Sequence, residues 1–180
     1  MHRLFVGLRP PPPIRALLRS VMDGVAGARW QSDDQLHLTL RFIGDVDRRT
    51  AEDIAVSLGN IRAPVPQLSI AGVGQFEKQG RTVALWAGVM PHDALAALHR
   101  KIDYAMVRLG LPPEGRAYLP HITLARLPRS AGASPDISAF LARRAGLAST
   151  PFGLPHLILF ESALMSDGAR YDSIGRWPLG

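Results

Sequence analysis

Residues 36–44 read "LHLTLRFIG" and residues 121–127 read "HITLARL", so a chain of 180 residues with six histidines sets two of them in one His-x-Thr-Leu context. Side chains alternate between the two faces of a β-strand. Taken as strands, these stretches send His37 and Thr39 to one face and Leu38 and Leu40 to the other. His121 and Thr123 separate from Ile122 and Leu124 in the same way. Each strand then has an apolar face for a core and a face bearing an imidazole and a hydroxyl. One such tetrad is weak evidence; a matched pair points to a single composite site.

Outward from the tetrads, the order of elements repeats. "RLFVGL" at 3–8 reads as a strand stopped by "PPPP" at 10–13, and "IRALLRSVMDGV" has helical apolar spacing. After the strand that holds His37 come a helix in "RRTAEDIAVSLGNI" and a strand through "LSIAGVGQF". The second half reads strand "TVALWAGV", helix "HDALAALHRKIDYAMVRLG", loop "LPPEGRAYLP", then the strand that holds His121. A helix around "DISAFLARRAG" and the strands "LPHLILFES" and "ARYDSIGRWPL" follow. Both tetrads fall at the same place in their halves, which predicts a degenerate duplication with repeats at residues 1–80 and 81–180. The expected fold is α+β, a single bilobal domain over residues 1–180 with pseudo-twofold symmetry. Antiparallel sheets would surround a central cleft, with helices on the outer faces.

Composition narrows the chemistry. The absence of cysteine removes disulfides, thiolate nucleophiles and cysteine-ligated zinc. Net charge is +6, and only Lys78 and Lys101 are lysines, so the cationic surface is arginine, which suits phosphate-bearing partners. No apolar run approaches the roughly 20 residues of a membrane helix, and "MHRLFVGLRPPPP" lacks the pattern of a signal peptide. A cytoplasmic protein without a membrane segment is expected. His2 is terminal, His92 and His99 share what reads as a solvated helix side, and His156 reads as exposed or hydrogen-bonded. None has metal-ligand spacing, so neither metal nor other cofactor is expected. "GVGQF" at 72–76 is too short for a phosphate-binding glycine loop and reads as a strand bend.

Two imidazoles can serve as acid and base in one turnover, because an unperturbed pKa of about 6.5 lets each give or take a proton near neutrality. Phosphoester hydrolysis needs both: water loses a proton as it attacks, and the leaving alkoxide gains one from the opposite side of phosphorus. Threonine hydroxyls can hold the non-bridging oxygens.

With "LFVGLRPP", "LHLTLRFIGDV", "VALWAGV", "PHITLAR", "FESAL" and "ARYDSIGRWPL" in this order, the chain resembles the RNA 2′,3′-cyclic phosphodiesterase (2′-5′ RNA ligase-like) family of two-histidine phosphoesterases. The resemblance implies hydrolysis of RNA 2′,3′-cyclic phosphate ends to 2′-phosphate ends, with RNA or oligoribonucleotide ends as partners. It implies His37 as proton donor, His121 as proton acceptor, and Thr39 and Thr123 as phosphate contacts. The family also carries an arginine at the place of Arg126. Alternation sends Arg126 away from His121, whereas Arg41 shares the face of His37, so both are candidates for the phosphate. The family pattern favours Arg126, turned back by a strand end or bulge. Phe42, in the equivalent place after the first tetrad, can stack on a base or pack in the core. Tyr118 stands where the family commonly has phenylalanine and is expected to wall the cleft. A monomer is expected. The alternatives are a non-catalytic nucleotide-binding module on the same cleft, and 2′-5′ RNA ligation as a side activity.

Overall fold

A computed structural model describes all 180 residues. Its strands are β1 (His2–Leu8), β2 (Arg29–Trp30), β3 (Leu38–Val46), β4 (Gln67–Lys78), β5 (Arg81–Met90), β6 (His121–Arg126), β7 (Phe152–Gly153), β8 (His156–Met165) and β9 (Gly168–Pro178). Four helices intervene: α1 (Pro12–Ser20), α2 (Arg48–Gly59), α3 (Asp93–Arg108) and α4 (Pro135–Arg143). Local chemistry sets their starts. Proline, which lacks the N–H a first turn leaves free, opens α1 and α4, and the Asp47 carboxylate accepts from Thr50 N at 2.7 Å ahead of α2. No helix is long and apolar enough to cross a membrane.

The strands form one antiparallel path, β7-β4-β5-β6-β3-β1-β8-β9, with β2 paired to β6. The two short strands β2 and β7 have no sequence signal of their own. At the centre, β3 and β6 meet at a single pair, Leu38 with Ile122. From this centre the order is mirrored, with β1 and β5 next and β8 and β4 beyond them. Because β4 belongs to the first half of the chain and β8 to the second, each lobe is completed by a strand from the other half. The lobes are therefore not the sequence repeats themselves.

One apolar cluster unites the molecule. Leu4, Val6 and Leu8 of β1, Leu38 and Leu40 of β3, and Ile122 and Leu124 of β6 share it with Ile54 of α2, Ile102 of α3 and Phe140 of α4. These residues are the in-phase positions of their strands and the apolar stripes of their helices. The other sheet face stays open, and both tetrads project their histidines there. α3 departs from expectation: His99 lies only 9% exposed, because the face it shares with Leu95, Leu98, Ile102 and Met106 is the core face.

Each tetrad is followed by a bulge. Gly7 pairs with Thr39 but Val6 pairs with Arg41, which leaves Leu40 as an extra residue. Trp86 pairs with Thr123 but Leu85 pairs with Ala125, which leaves Leu124 extra. A bulge interrupts strict alternation. Arg41 therefore follows Leu40 to the helix side and does not join His37. There it is 6% exposed, its Nε donates to Asp103 Oδ1 of α3 at 2.7 Å, and its remaining donors bind the carbonyls of Phe42 and Pro112. Asp103 also accepts from Glu114 N at 3.0 Å. His99 completes the clamp, its Nδ1–H donating to Leu40 O at 2.7 Å. Arg41→Ala is expected to lower stability by roughly 2–4 kcal/mol, since it leaves the largely covered Asp103 carboxylate without its cation and removes the donors to two carbonyls. Chemical denaturation would measure this, and a loss below about 0.5 kcal/mol would contradict the clamp.

Candidate active site

The Leu38–Ile122 pair sets the geometry of the open face. In an antiparallel register it puts His37 across from Thr123 and Thr39 across from His121, so the histidines occupy one diagonal and the threonines the other. Such a diagonal spans about 7–8 Å between backbones, a scale on which two ring nitrogens can reach opposite sides of one phosphate.

Both imidazoles are held alike. His37 Nδ1 lies 2.7 Å from Gln35 O, and His121 Nδ1 lies 2.7 Å from Leu119 O, each the carbonyl two residues upstream. A carbonyl only accepts, so each Nδ1 carries a proton and each Nε2 is left for chemistry. For His37, Nε2 stands 3.0 Å from Thr39 Oγ1. No sequence pattern reveals these partners, because they are backbone atoms.

The surroundings then break the symmetry. His37 lies against the rings of Phe5, Tyr171 and Phe160, at centroid distances of 4.8, 5.0 and 5.8 Å. Burial pulls its pKa down to about 4; the Gln35 carbonyl opposes this, while the positive charges of Arg126, His121 and Arg9 assist it. His121 meets Phe76 edge-on at 4.8 Å and Trp86 at 6.0 Å, and it too is lowered, by burial first and Arg126 after the opposing Leu119 carbonyl. Trp86 lies across Gly74, where an added Cβ would come 2.2 Å from the ring. The aromatic walls were readable in part: Phe5 and Phe160 sit out of phase with the leucines of β1 and β8.

Of the remaining candidates, Arg126 comes to the cleft face, because the bulge at Leu124 sends Leu124 and Ala125 both to the core. Its charge acts on both histidines. Phe42 also reaches the cleft face, opposite Phe5, but is 44% exposed with the Arg3 guanidinium over its ring at 5.1 Å. It is not core. Tyr118 does not wall the cleft; its ring stacks on His99 at 4.3 Å on the helix side, and its hydroxyl donates to Thr39 O at 3.1 Å. Burial raises its pKa further above the usual phenol value. Arg41, in the clamp beneath β3, is likewise apart from the histidines. No group of three or more His, Cys, Asp or Glu side chains converges in a way that could hold a metal ion.

The depressed histidines link stability to pH. A folded-state pKa below the unfolded value near 6.5 means the unfolded chain binds the proton first, so stability is full above that value and falls as pH drops toward about 4. The His37 share is expected to reach at most about 3 kcal/mol. Denaturation of His37→Gln beside the parent from pH 7 to 4 measures it, and parallel curves would refute it.

The sequence and the coordinates place the molecule among known proteins. A sequence model of LigT like phosphoesterases matches residues 8–86 and 88–171. An RNA 2′,3′-cyclic phosphodiesterase of Geobacillus stearothermophilus is 30% identical over 152 residues, 83% of this chain; the chain spans about half of that relative's length, 47%. A protein of the same name from Escherichia coli is 26% identical over 182 residues, 99% of this chain and 97% of the relative. The crystal structure of E. coli LigT with NADP+ superposes with a TM-score of 0.78 at 26% identity, covering 99% of this chain and 97% of that one. Since the matched segments include both tetrads and every strand from β2 to β8, the chain belongs to the LigT like phosphoesterase family.

Proposed function

We propose that the protein hydrolyses 2′,3′-cyclic phosphate ends of RNA to 2′-phosphate ends, with His37 as general acid and His121 as general base. The observation that carries this reading is the pair of imidazoles with Nδ1 fixed on a carbonyl and Nε2 turned to one cleft. Relatives bearing the name RNA 2′,3′-cyclic phosphodiesterase support the substrate class, as does the crystallisation of E. coli LigT with 3′-AMP. All four tetrad side chains come from one chain, which supports action as a monomer, and an RNA substrate supports a cytoplasmic setting.

In the free site both histidines are neutral near pH 7, which suits His121 Nε2 to take the proton of the attacking water. His37 must first gain a proton. The anionic phosphate supplies the opposite charge that the free site lacks, and so raises the pKa of His37 as it enters. Protonation also reverses the Thr39 bond: the hydroxyl, which donates to neutral Nε2 in the free site, then accepts from Nε2–H and turns its own proton to a phosphate oxygen. Thr123 and Arg126 hold the other developing negative charge. His37 finally delivers its proton to the 3′ oxygen as the P–O3′ bond breaks.

The direct test is incubation with an oligoribonucleotide ending in 2′,3′-cyclic phosphate, in chelator, with identification of the product end. A 2′-phosphate is expected; no turnover, or turnover only with an added divalent ion, would overturn the reading. His37→Ala and His121→Ala are each expected to lower kcat by roughly 100- to 10,000-fold, as loss of a general acid or base does. A phosphodiester with a better leaving group restores His37→Ala but not His121→Ala; the converse would exchange their roles. Rate–pH profiles are expected to be bell-shaped, with the alkaline limb of kcat above that of kcat/KM, because bound phosphate raises the pKa of the acid. Coincident limbs would argue against substrate-linked protonation of His37.

A further inference from the structure

Beside His37 the open face runs on into a cleft of about 410 Å³ between the start of α1 and the β8–β9 ribbon. Its floor is apolar, formed by Ile158 and Phe160 with the prolines at 10–12, and its rim carries Arg9, Arg15, His156 and Arg176. Phe160 is the residue it shares with the aromatic wall of His37.

Charge is not evenly free along that rim. Arg15 is engaged by Asp33 at 3.1 Å, and Arg9 lies 3.3 Å from Asp34 and 3.7 Å from Asp33. Arg176 is exposed and has no carboxylate within ion-pair distance; its only side-chain partner is His156 Nδ1, at 3.0 Å. Guanidinium can only donate, so His156 accepts at Nδ1 and carries its proton on Nε2. The pair thus offers a cation and a second N–H with no carboxylate of the protein to neutralise them. In register, Arg176 sits opposite Ile158, two residues along β8 from Phe160, on the strand three removed from β3 and so roughly 14 Å across the sheet from it between backbones.

If His37 protonates the 3′ oxygen, the ribose lies on the His37 side of the phosphorus. The opposite side is walled by Phe76 and Trp86. We infer that the cleft is a subsite for the 5′-phosphate of the terminal nucleotide, the first internucleotide phosphate of an RNA end, held by Arg176 and His156 over a base-packing floor of Ile158 and Phe160. The inference rests on the proposed hydrolysis and adds that the site measures an RNA end rather than a lone cyclic nucleoside.

Binding and turnover test it separately. Calorimetry with adenosine 2′,5′-bisphosphate and adenosine 2′-phosphate needs no catalysis, and the bisphosphate is expected to bind about tenfold or more tightly. Arg176→Gln should reduce that ratio to near one, and His156→Ala should lower it partially. Arg49→Gln, an equal charge change on exposed α2, should preserve it. The same ratio is expected in kcat/KM for adenosine 2′,3′-cyclic phosphate with and without a 5′-phosphate. A binding ratio near one in the parent protein, or equal losses of both ligands in Arg176→Gln, would overturn the subsite. Tight, Arg176-dependent bisphosphate binding without turnover of any cyclic phosphate would instead uphold the subsite and overturn the hydrolysis reading.

Discussion

Two one-residue bulges, at Leu40 and Leu124, govern how this chain divides its side chains between core and cleft. Without them, alternation would carry Arg41 to the cleft and Arg126 into the core. With them, the fifth residue after each histidine turns outward and the fourth turns in, so Phe42 and Arg126 occupy equivalent places. A bulge leaves backbone groups unpaired by the ladder, and at each bulge here a carbonyl finds a partner elsewhere. Leu40 O accepts from His99, and Leu124 O accepts from Gln31 N at 2.8 Å. The two bulges thus meet the same need differently, with a side chain under β3 and a backbone N–H beside β6.

The same divergence makes two similar histidines unequal. Their Nδ1 anchors are equivalent, so the asymmetry comes from what lies over each ring. Three aromatic rings shield His37, whereas His121 has an indole and one phenyl ring. Removing water from an imidazole penalises its charged form. His37, the more shielded of the two, is thus held neutral near pH 7, and the proposed hydrolysis requires an anionic substrate to charge it.

The exchange of β4 and β8 between lobes bears on rigidity. A cleft between two independent lobes would open and close about the Leu38–Ile122 contact. Here each lobe is continued by the other half of the chain, and one apolar cluster runs beneath both. The distance between the tetrads is therefore held by the entire core, which suits the proposed placement of two nitrogens on opposite sides of one phosphorus.

The sequence by itself determined the order of the helices and of the seven longer strands, the α+β class and the pairing of His37 and Thr39 with His121 and Thr123. All of these depend on local periodicity and on repetition, which a linear chain displays. It also left open which arginine reaches the cleft, and it misread His99 and Tyr118, which meet each other and the β3 backbone under the site. Those outcomes depend on bulge positions and on packing between residues some 60 to 80 positions apart. Tertiary structure alone decided them, since periodicity says which face a residue prefers only until the ladder slips by one, and nothing local marks where the slip occurs.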